Sequence, residues 1–503
     1  MYLQSFALAG AALCGVATAT ASAAVQDKVF KHVAVFSIDG LHSSDIPKWV
    51  ALKPQGTIAK LLEHGYWYQN ALTSSPSDSF PGTINLVTGA SPRNTGIWYD
   101  DSYDRTLWAP KSNCAGAPGA ETVLYDESID YDDTKLWSSP NPTVVGGNIN
   151  PANLPMGKVG GVCKPIYPHQ HVRVNTVFEV AHGAGMQTAY TDKHPAYDLV
   201  RGPSGEGLSV GYFPEIQSLD STNVSQIITY DTSHVNAFLA WIKGQTPANT
   251  EIQEKLTGMP ALFGGNFQAV SVAQKTHGYK AGSLAFTDPL ATAVTFVDNS
   301  LGSVVDALTT AGVYNDTLIF VCAKHGQAPI DPTTYRKIDN ALIAPATGVN
   351  VSQVTADDLA MIWLANQNDL DKAVDGLEKA KAALQIDRII SGELLTREGY
   401  GDPKTDPAVP DIIVVPQLGV IYTTSTAKIA EHGGFSLDDT NVACFVSSPV
   451  ITDNKTYTGK VSTKRVAPTI LKALGLDPGA LQGVKLEDTD VLPGFGGSDS
   501  DDE

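Results

Sequence analysis

Short, uninterrupted runs of apolar residues alternate along this chain with longer segments in which apolar positions recur at a helical period. The first run, residues 33–38, is continuous and rich in β-branched side chains, which is typical of a strand buried on both faces of a parallel sheet. Further strands are predicted at 187–191, 317–322, 411–415 and 442–447. Helices are predicted at 57–64, 176–182, 234–243, 290–310, 370–384 and 466–474. The alternation predicts an α/β fold with a mostly parallel central sheet and helices on both faces.

Two long segments interrupt this alternation and are rich in Gly, Pro, Ser and Asn. They lie near 103–170 and 199–265, and we interpret them as cap or lid insertions in one large domain at 28–490. The last residues, 494–503, are acidic and of low complexity, a composition typical of a disordered tail.

The acidic composition limits the partners that the protein can have. The 34 basic and 53 acidic residues give a formal net charge of −19. This charge argues against binding to duplex nucleic acid or to an anionic membrane surface. A small anion can still bind, because a cation bound in a cleft dominates the local field.

Residues 1–23 resemble a secretory signal peptide. An apolar stretch at 6–17 precedes Ala21-Ser22-Ala23, a small-residue cleavage site, although the usual basic residues at the start are missing. The alternative is a core helix that begins at Met1. No other stretch has the roughly 18 consecutive apolar residues of a membrane span. We therefore expect a secreted mature protein without a membrane span.

The cysteines and the glycosylation motifs agree with export. Cys114 and Cys163 lie in Gly- and Pro-rich loops and are the expected disulfide pair, whereas Cys322 and Cys444 lie in apolar runs typical of buried thiols. Asn-x-Ser/Thr motifs predict glycosylation at Asn223, Asn315, Asn350 and Asn454.

Several polar residues follow directly after predicted strands. Asp39 ends the first strand, Lys324 and His325 follow the strand at 317–322, and the carboxyl ends of parallel strands form the crevice where such sheets bind ligands. Ser79 lies near the start of a predicted helix, where free N–H groups favour anions, so its hydroxyl could attack a phosphate. His432 precedes the strand at 442–447.

A further cluster follows the strand at 187–191 and consists of Asp192, Lys193 and His194. Carboxylate, hydroxyl and imidazole groups are the ligands of a hydrolytic metal site, in which the cation lowers the pKa of a bound hydroxyl. Each residue also has an ordinary structural explanation: Asp39 could begin a turn, and Ser79 could cap a helix. Taken together, the residues favour a site.

The order of the motifs supports a more specific interpretation. The chain contains Ile38-Asp39-Gly40, Ser79-Phe80-Pro81, Leu86-Val87-Thr88-Gly89, Gly96-Ile97, Lys324-His325-Gly326 and His432-Gly433. In this order they resemble the type I phosphodiesterase/nucleotide pyrophosphatase branch of the alkaline phosphatase superfamily. The resemblance implies an alkaline-phosphatase-like fold and a divalent metal, with one or two zinc ions expected. It assigns Asp39, Ser79, His325 and His432 as metal ligands, with Ser79 also the nucleophile.

Three positions depart from the family pattern. Lys324 replaces the Asp of an Asp-His pair, Asp100 stands where an Asn is frequent, and His277 is the one conventional ligand at 270–282, where an Asp-x-x-x-His motif is expected. One metal could remain, with the Lys324 ammonium acting as the second positive charge. Asp100 is then a candidate for substrate binding, and the cluster Asp192, Lys193 and His194 is a candidate for substrate binding or for substitute metal ligands.

The resulting hypothesis is a secreted, metal-dependent phosphoesterase of the phosphodiesterase/nucleotide pyrophosphatase type, the type that the resemblance implies. It acts on a small phosphorylated substrate through a phospho-Ser79 intermediate, with Lys324 assisting catalysis. A phosphomonoesterase, sulfatase or phosphonate hydrolase of the same superfamily is an alternative, because fold does not determine function. Another is a non-catalytic, ligand-binding relative on a decayed phosphatase scaffold, which Lys324 favours. A serine esterase would need Gly-x-Ser-x-Gly, whereas Ser79 has Asp78 and Phe80 as neighbours.

Overall fold

The computed structural model describes residues 25–119, 124–136, 147–246 and 254–501. The predicted signal peptide at 1–23 lies outside these residues. The strands of the described part are β1 (His32–Ile38), β2 (Gly65–Leu72), β3 (Asp101–Tyr103), β4 (Leu124–Asp126), β5 (Met156–Val159), β6 (Val162–Pro165), β7 (Thr188–Thr191), β8 (Val210–Tyr212), β9 (Leu262–Phe267), β10 (Thr317–Cys322), β11 (Arg336–Ile338), β12 (Val351–Ala356), β13 (Ala360–Leu364), β14 (Ile386–Ser391), β15 (Ile412–Pro416), β16 (Val420–Tyr422), β17 (Cys444–Ser447) and β18 (Lys455–Ser462).

The α-helices of the same part are α1 (Asp45–Leu52), α2 (Thr57–Glu63), α3 (Ser79–Thr88), α4 (Pro92–Thr95), α5 (Val177–Gly183), α6 (Val224–Ile242), α7 (Ala269–Thr276), α8 (Asp288–Thr310), α9 (Ile343–Thr347), α10 (Leu370–Ala380), α11 (Glu393–Arg397), α12 (Leu437–Thr440), α13 (Val466–Ala473) and α14 (Gln482–Glu487). None of these helices is both long and apolar enough to cross a membrane.

An eight-stranded sheet forms the centre of the fold, in the order β18-β2-β17-β10-β1-β9-β7-β8. Strand β17 pairs antiparallel with both of its neighbours, and the other pairings are parallel. Alternate side chains of β1 enter different apolar cores: Val33 and Val35 pack with α3 and α13, and Phe36 packs with α6 and α8. The predicted α/β fold with helices on both faces is confirmed.

A second sheet, which the sequence interpretation did not separate, contains the antiparallel strands β12-β13-β15-β14. The strand predicted at 411–415 exists as β15 but belongs to this sheet. Helix α10 packs on it, because Leu377 shares an apolar core with Ile362 and Val414. The repeating pattern identified a buried strand there, but pattern alone does not tell which sheet a strand joins.

The prediction that residues near 199–265 form an insertion is wrong. The described residues of the other predicted insertion, 103–170, add no strand to either large sheet, as expected of an insertion. The segment 199–265 supplies β8, α6 and β9, and β9 lies in the middle of the main sheet beside β1. Strand β9 contains two glycines, which are uncommon in strands and therefore weaken the strand pattern in the sequence. They are required by close packing, because a Cβ on Gly264 would lie 1.9 Å from the Val35 carbonyl oxygen.

The tail predicted to be disordered is ordered over 494–501, which corrects that prediction; residues 502–503 lie outside the described part. The buried Arg465 guanidinium lies 3.0 Å from Asp501 Oδ1 and donates to the Ser498 carbonyl oxygen at 2.9 Å. The Asp501 backbone N–H donates to the Lys460 carbonyl at 2.7 Å, and Phe495 is buried. The tail is therefore bound by the buried Arg465 guanidinium, a contact that the composition of the tail does not predict.

The predicted disulfide between Cys114 and Cys163 is present, with Cα atoms 5.9 Å apart. Cys322 and Cys444 are free and buried. The four asparagines of the glycosylation motifs, Asn223, Asn315, Asn350 and Asn454, are exposed. Their modification stays a prediction.

Replacing both Cys114 and Cys163 with Ser should lower the free energy of unfolding by about 4 kcal/mol, because the bridge closes a loop with a sequence separation of 49. Chemical denaturation of the two proteins measures the difference. Adding a thiol reductant is the control: it should destabilise the parent protein and leave the double variant unchanged. Equal stability of both proteins without reductant would contradict the prediction.

Candidate functional site

The carboxyl ends of four adjacent parallel strands, β10, β1, β9 and β7, lie side by side and carry the predicted polar residues. Asp39 follows β1, Lys324 and His325 follow β10, and the Asp192 cluster follows β7. Gly40 makes the turn after Asp39 with φ 77°, and its N–H donates to the His325 carbonyl at 3.2 Å. The strand pattern therefore predicted correctly which residues share this edge.

Ser79 is the first residue of α3 and is fully buried. Asp78 caps this helix by accepting a hydrogen bond from the Phe80 N–H at 3.1 Å. The helix lies directly against the end of β10, since a Cβ on Gly82 would lie 1.9 Å from the Lys324 carbonyl oxygen. This close approach places the Ser79 hydroxyl beside the residues that follow β10.

His325 is the base that faces Ser79. Its Nε2 lies 3.3 Å from Ser79 Oγ, and its Nδ1 lies 2.8 Å from the Gly326 carbonyl oxygen. Since a carbonyl can only accept, Nδ1 carries the proton and the lone pair of Nε2 faces the hydroxyl. Burial and the neighbouring His432 and Lys324 lower the pKa of His325 well below its usual value, so the ring is neutral.

The Lys324 ammonium lies among three buried oxygen groups. Its Nζ is 3.3 Å from Asp39 Oδ1 and 3.5 Å from Asp192 Oδ1. It also donates to the Tyr197 hydroxyl at 3.0 Å and lies 4.4 Å from the centre of the Tyr197 ring. Lys324, Asp39 and Asp192 are all 0% exposed, so these opposite charges compensate one another away from water.

A second ammonium, that of Lys193, lies directly beside Ser79. Its Nζ is 3.5 Å from Ser79 Oγ and 3.0 Å from Glu127 Oε1. Burial opposes the charge, but the carboxylates of Glu127 and Asp39 outweigh it and raise the pKa of Lys193 above its usual value. Lys193 is therefore a charged ammonium group beside Ser79.

Glu127 and Tyr197 are site residues that the sequence interpretation missed. Glu127 Oε2 accepts from the Tyr197 hydroxyl at 3.1 Å, and Glu127 Oε1 lies 3.6 Å from His194 Nε2. Glu127 follows β4, whose pairing with β3 begins beside Asp100, and the Glu127 N–H donates to the Asp100 carbonyl at 3.0 Å. No motif marks Glu127, but Tyr197 lies only three residues after His194.

The other predicted residues line the same cluster. The His432 ring lies against that of His325, with centres 3.9 Å apart, and His432 Nδ1 is 3.2 Å from Asp78 Oδ1. His194 directs Nδ1 to Glu215 Oε1 at 2.8 Å, so its contact with the site is through Glu127.

Asp100 lies in a strongly acidic environment. Burial and the charges of Asp78 and Glu127 raise the pKa of Asp100 well above its usual value. Burial and Glu127 likewise raise the pKa of Asp78 to about 6. A protonated carboxyl donates and accepts hydrogen bonds, as the side-chain amide of Asn does. Asp100 can therefore make the same kinds of hydrogen bond as the Asn that the family pattern has at this position.

The predicted metal ligands lie together, but their surroundings do not fit a metal site. The Lys324 ammonium lies beside Asp39, His325 directs Nε2 to Ser79, and His432 Nδ1 lies 3.2 Å from Asp78 Oδ1 without a hydrogen bond. Among the described residues, no group of three or more His, Cys, Asp or Glu side chains could hold a metal ion. The predicted metal-ligand set of Asp39, Ser79, His325 and His432 is therefore not supported.

The segment 270–282, where the family pattern has an Asp-x-x-x-His motif, contains no acidic residue. The end of β9 carries the buried amides of Asn266 and Gln268, and His277 is exposed at the end of α7. An amide is neutral, so this side of the site adds no charge to attract a cation. The positive charge of the site comes from Lys193 and Lys324.

Comparison with solved structures identifies the same overall fold. Murine ectonucleotide pyrophosphatase/phosphodiesterase 5 aligns with a TM-score of 0.59 and 16% identity over 89% of this chain and 96% of its own. An inactive variant of the murine protein in complex with AMP gives a TM-score of 0.59 and 15% identity over 89% and 96%. The human counterpart gives 0.55 and 14% over 93% and 97%. At these identities the likeness shows the fold alone.

No curated protein matches the chain at a significant level. The model of the type I phosphodiesterase / nucleotide pyrophosphatase family matches residues 33–435, which is most of the chain. This family depends on divalent metals and hydrolyses phosphoric ester bonds. The chain belongs to the type I phosphodiesterase / nucleotide pyrophosphatase family and is a hydrolase of phosphoric ester bonds.

Proposed function

We propose that this protein is a secreted phosphodiesterase or nucleotide pyrophosphatase in which Ser79 is the nucleophile. The observation that carries the proposal is the position of the Ser79 hydroxyl, 3.3 Å from His325 Nε2 and 3.5 Å from the Lys193 ammonium. A base and a cation beside one hydroxyl are the groups that nucleophilic attack on an anionic ester requires.

The first step transfers the phosphoryl group to the enzyme. Ser79 Oγ forms a bond to phosphorus while its proton passes to His325 Nε2. The bond from phosphorus to the leaving oxygen breaks, and that oxygen takes the proton from His325. In the second step water attacks phosphorus, gives its proton to His325, and the released Ser79 oxygen recovers it.

Lys193 and Lys324 stabilise the charge that develops on the phosphoryl oxygens in both steps. Both ammonium groups are buried, and a charge interaction is stronger in a site from which water is excluded. No step passes through a metal, because the lysine beside Asp39 and the contacts of His325 do not fit one. In this respect the chain departs from the metal dependence of its family.

The proposed substrate is a small phosphodiester or pyrophosphate that contains a nucleotide. Family membership supports the ester class, and the AMP complex of the murine relative supports a nucleotide. Secretion is supported by the Cys114–Cys163 disulfide, which is typical of oxidising compartments. Chromogenic phosphate, phosphodiester and sulfate esters distinguish the diesterase from a monoesterase or a sulfatase.

Replacing Ser79 with Ala should lower turnover of the best chromogenic substrate by roughly 10³-fold or more, because the attacking oxygen is lost. Ser79→Thr is the matched control, since it keeps a hydroxyl at this position and should retain measurable activity. Acid-quenched parent enzyme should yield a Ser79 peptide that carries the phosphoryl group together with the ester substituent that does not leave in the first step. Activity in Ser79→Ala equal to that of the parent would contradict the nucleophile assignment, and inactivity of every form would support the non-catalytic alternative.

Removing divalent metals should leave the activity of the purified protein unchanged, because the two lysines supply the positive charge. Elemental analysis should find much less than one zinc or other transition-metal ion per chain. Loss of activity in chelator with recovery on adding zinc would contradict this account and restore the metal role of Asp39, His325 and His432.

Lys324→Ala should lower kcat by roughly 10²–10³-fold, the loss typical for one transition-state donor. Lys472→Ala is the control, because Lys472 is a partly buried lysine that donates to the Phe495 carbonyl oxygen at 2.7 Å, outside the site. Unchanged kcat in Lys324→Ala would show that this ammonium takes no part in the reaction.

A further inference from the structure

In the absence of substrate, each of the two ammonium groups of the site already pairs with a carboxylate. Lys324 lies 3.3 Å from the carboxylate of Asp39, and Lys193 lies 3.0 Å from that of Glu127. An anionic phosphoryl group that enters beside Ser79 therefore meets no free positive charge. It would also lie next to a carboxylate, and like charges repel strongly in a buried site.

We propose that the Glu127 carboxylate occupies the subsite of the substrate's phosphoryl group and must leave it before an anionic substrate binds. Glu127 is then a residue that determines affinity for anions. The inference rests on the proposed function only for the identity of the incoming anion.

The contacts of Glu127 are those that a phosphoryl group requires. Lys193 approaches Oε1 at 3.0 Å, the Tyr197 hydroxyl donates to Oε2 at 3.1 Å, and His194 Nε2 lies 3.6 Å from Oε1. The same Tyr197 hydroxyl accepts from Lys324 at 3.0 Å, so this carboxylate is linked to both ammonium groups. Hydroxyl and ammonium donors of this kind bind carboxylate and phosphate oxygens alike.

Glu127 is also the carboxylate best placed to move. Asp39 and Asp192 are fully buried and directly follow central strands, so the main sheet fixes them. Glu127 follows the short strand β4. The described residues of this segment add no strand to either large sheet, and the Glu127 side chain is 12% exposed. Breaking the Lys193–Glu127 pair therefore disturbs the fold least.

The charges on this pair support the same conclusion. Burial opposes ionisation of Glu127, but Lys193, His194 and Lys324 outweigh it and lower the pKa of Glu127. The carboxylate is thus a true anion that competes with a substrate anion. Its neutral isostere Gln keeps the shape and removes the competing charge.

Glu127→Gln should bind inorganic phosphate at least about tenfold more tightly than the parent in calorimetric titration, because Lys193 is freed. With the best chromogenic ester, KM should fall. Glu127→Asp keeps the charge and should bind phosphate as weakly as the parent. Glu254→Gln, which removes a carboxylate that pairs with His182 away from the site, should also behave as the parent. Equal or weaker phosphate binding by a folded Glu127→Gln would overturn the proposal.

A second measurement uses the unmodified protein and does not depend on the stability of a variant. Glu127 should become more reactive to a carboxyl-directed carbodiimide when phosphate saturates the site, with Glu254 as the internal standard in peptide mass spectrometry. Unchanged or reduced labelling of Glu127 would overturn the proposal. Neither measurement requires turnover: if no ester is hydrolysed, the proposed function fails while the phosphate results still decide the role of Glu127.

Discussion

The pairing of buried lysines with buried carboxylates at the strand ends is the constraint on which the rest of the site depends. A charge that is removed from water must be compensated, and breaking a buried pair by removing one partner costs about 3–5 kcal/mol. Lys324 contacts Asp39 and Asp192, which follow β1 and β7. This single ammonium therefore joins the ends of three strands of the main sheet.

The same charges set the state of the reacting groups. Burial and nearby positive charge keep His325 neutral, so its Nε2 is free to accept the Ser79 proton. Lys193 remains charged because the carboxylates around it outweigh its burial. In a metal-dependent relative a metal cation would attract the nucleophile and the phosphoryl oxygens. Here the ammonium groups of Lys193 and Lys324 supply that positive charge. They differ from an ion in that each is a covalent part of the chain.

The sequence predicted the parts of the site that depend on the sheet. Asp39, Lys324, His325 and Asp192 directly follow strands, and parallel strands end at one edge, so periodicity was enough to place them together. Ser79 and His432 were found through motifs. Glu127 could not be found, because β4 is three residues long and no repeating pattern relates its segment to β1. The position of β9 was missed because its glycines, which allow close packing against Val35, also weaken the strand pattern.

The predictions for the tail and for the metal also depend on contacts between residues far apart in the sequence, which local patterns do not show. The acidic tail has a composition typical of disorder, but a buried arginine from a distant part of the chain binds it. The expectation of a divalent metal agrees with the family, whereas the surroundings of the motif residues, above all Lys324 beside Asp39, form no metal site among the described residues.

The proposed chemistry depends most on which groups contact the phosphoryl oxygens. A crystal structure of this protein with AMP bound, with anomalous diffraction collected at the zinc edge, identifies these groups directly. We expect the Lys193 and Lys324 ammonium groups to lie within hydrogen-bond distance of the phosphoryl oxygens, without an anomalous peak in the site. One or two metal ions that bridge Asp39, His325 or His432 to those oxygens would contradict it.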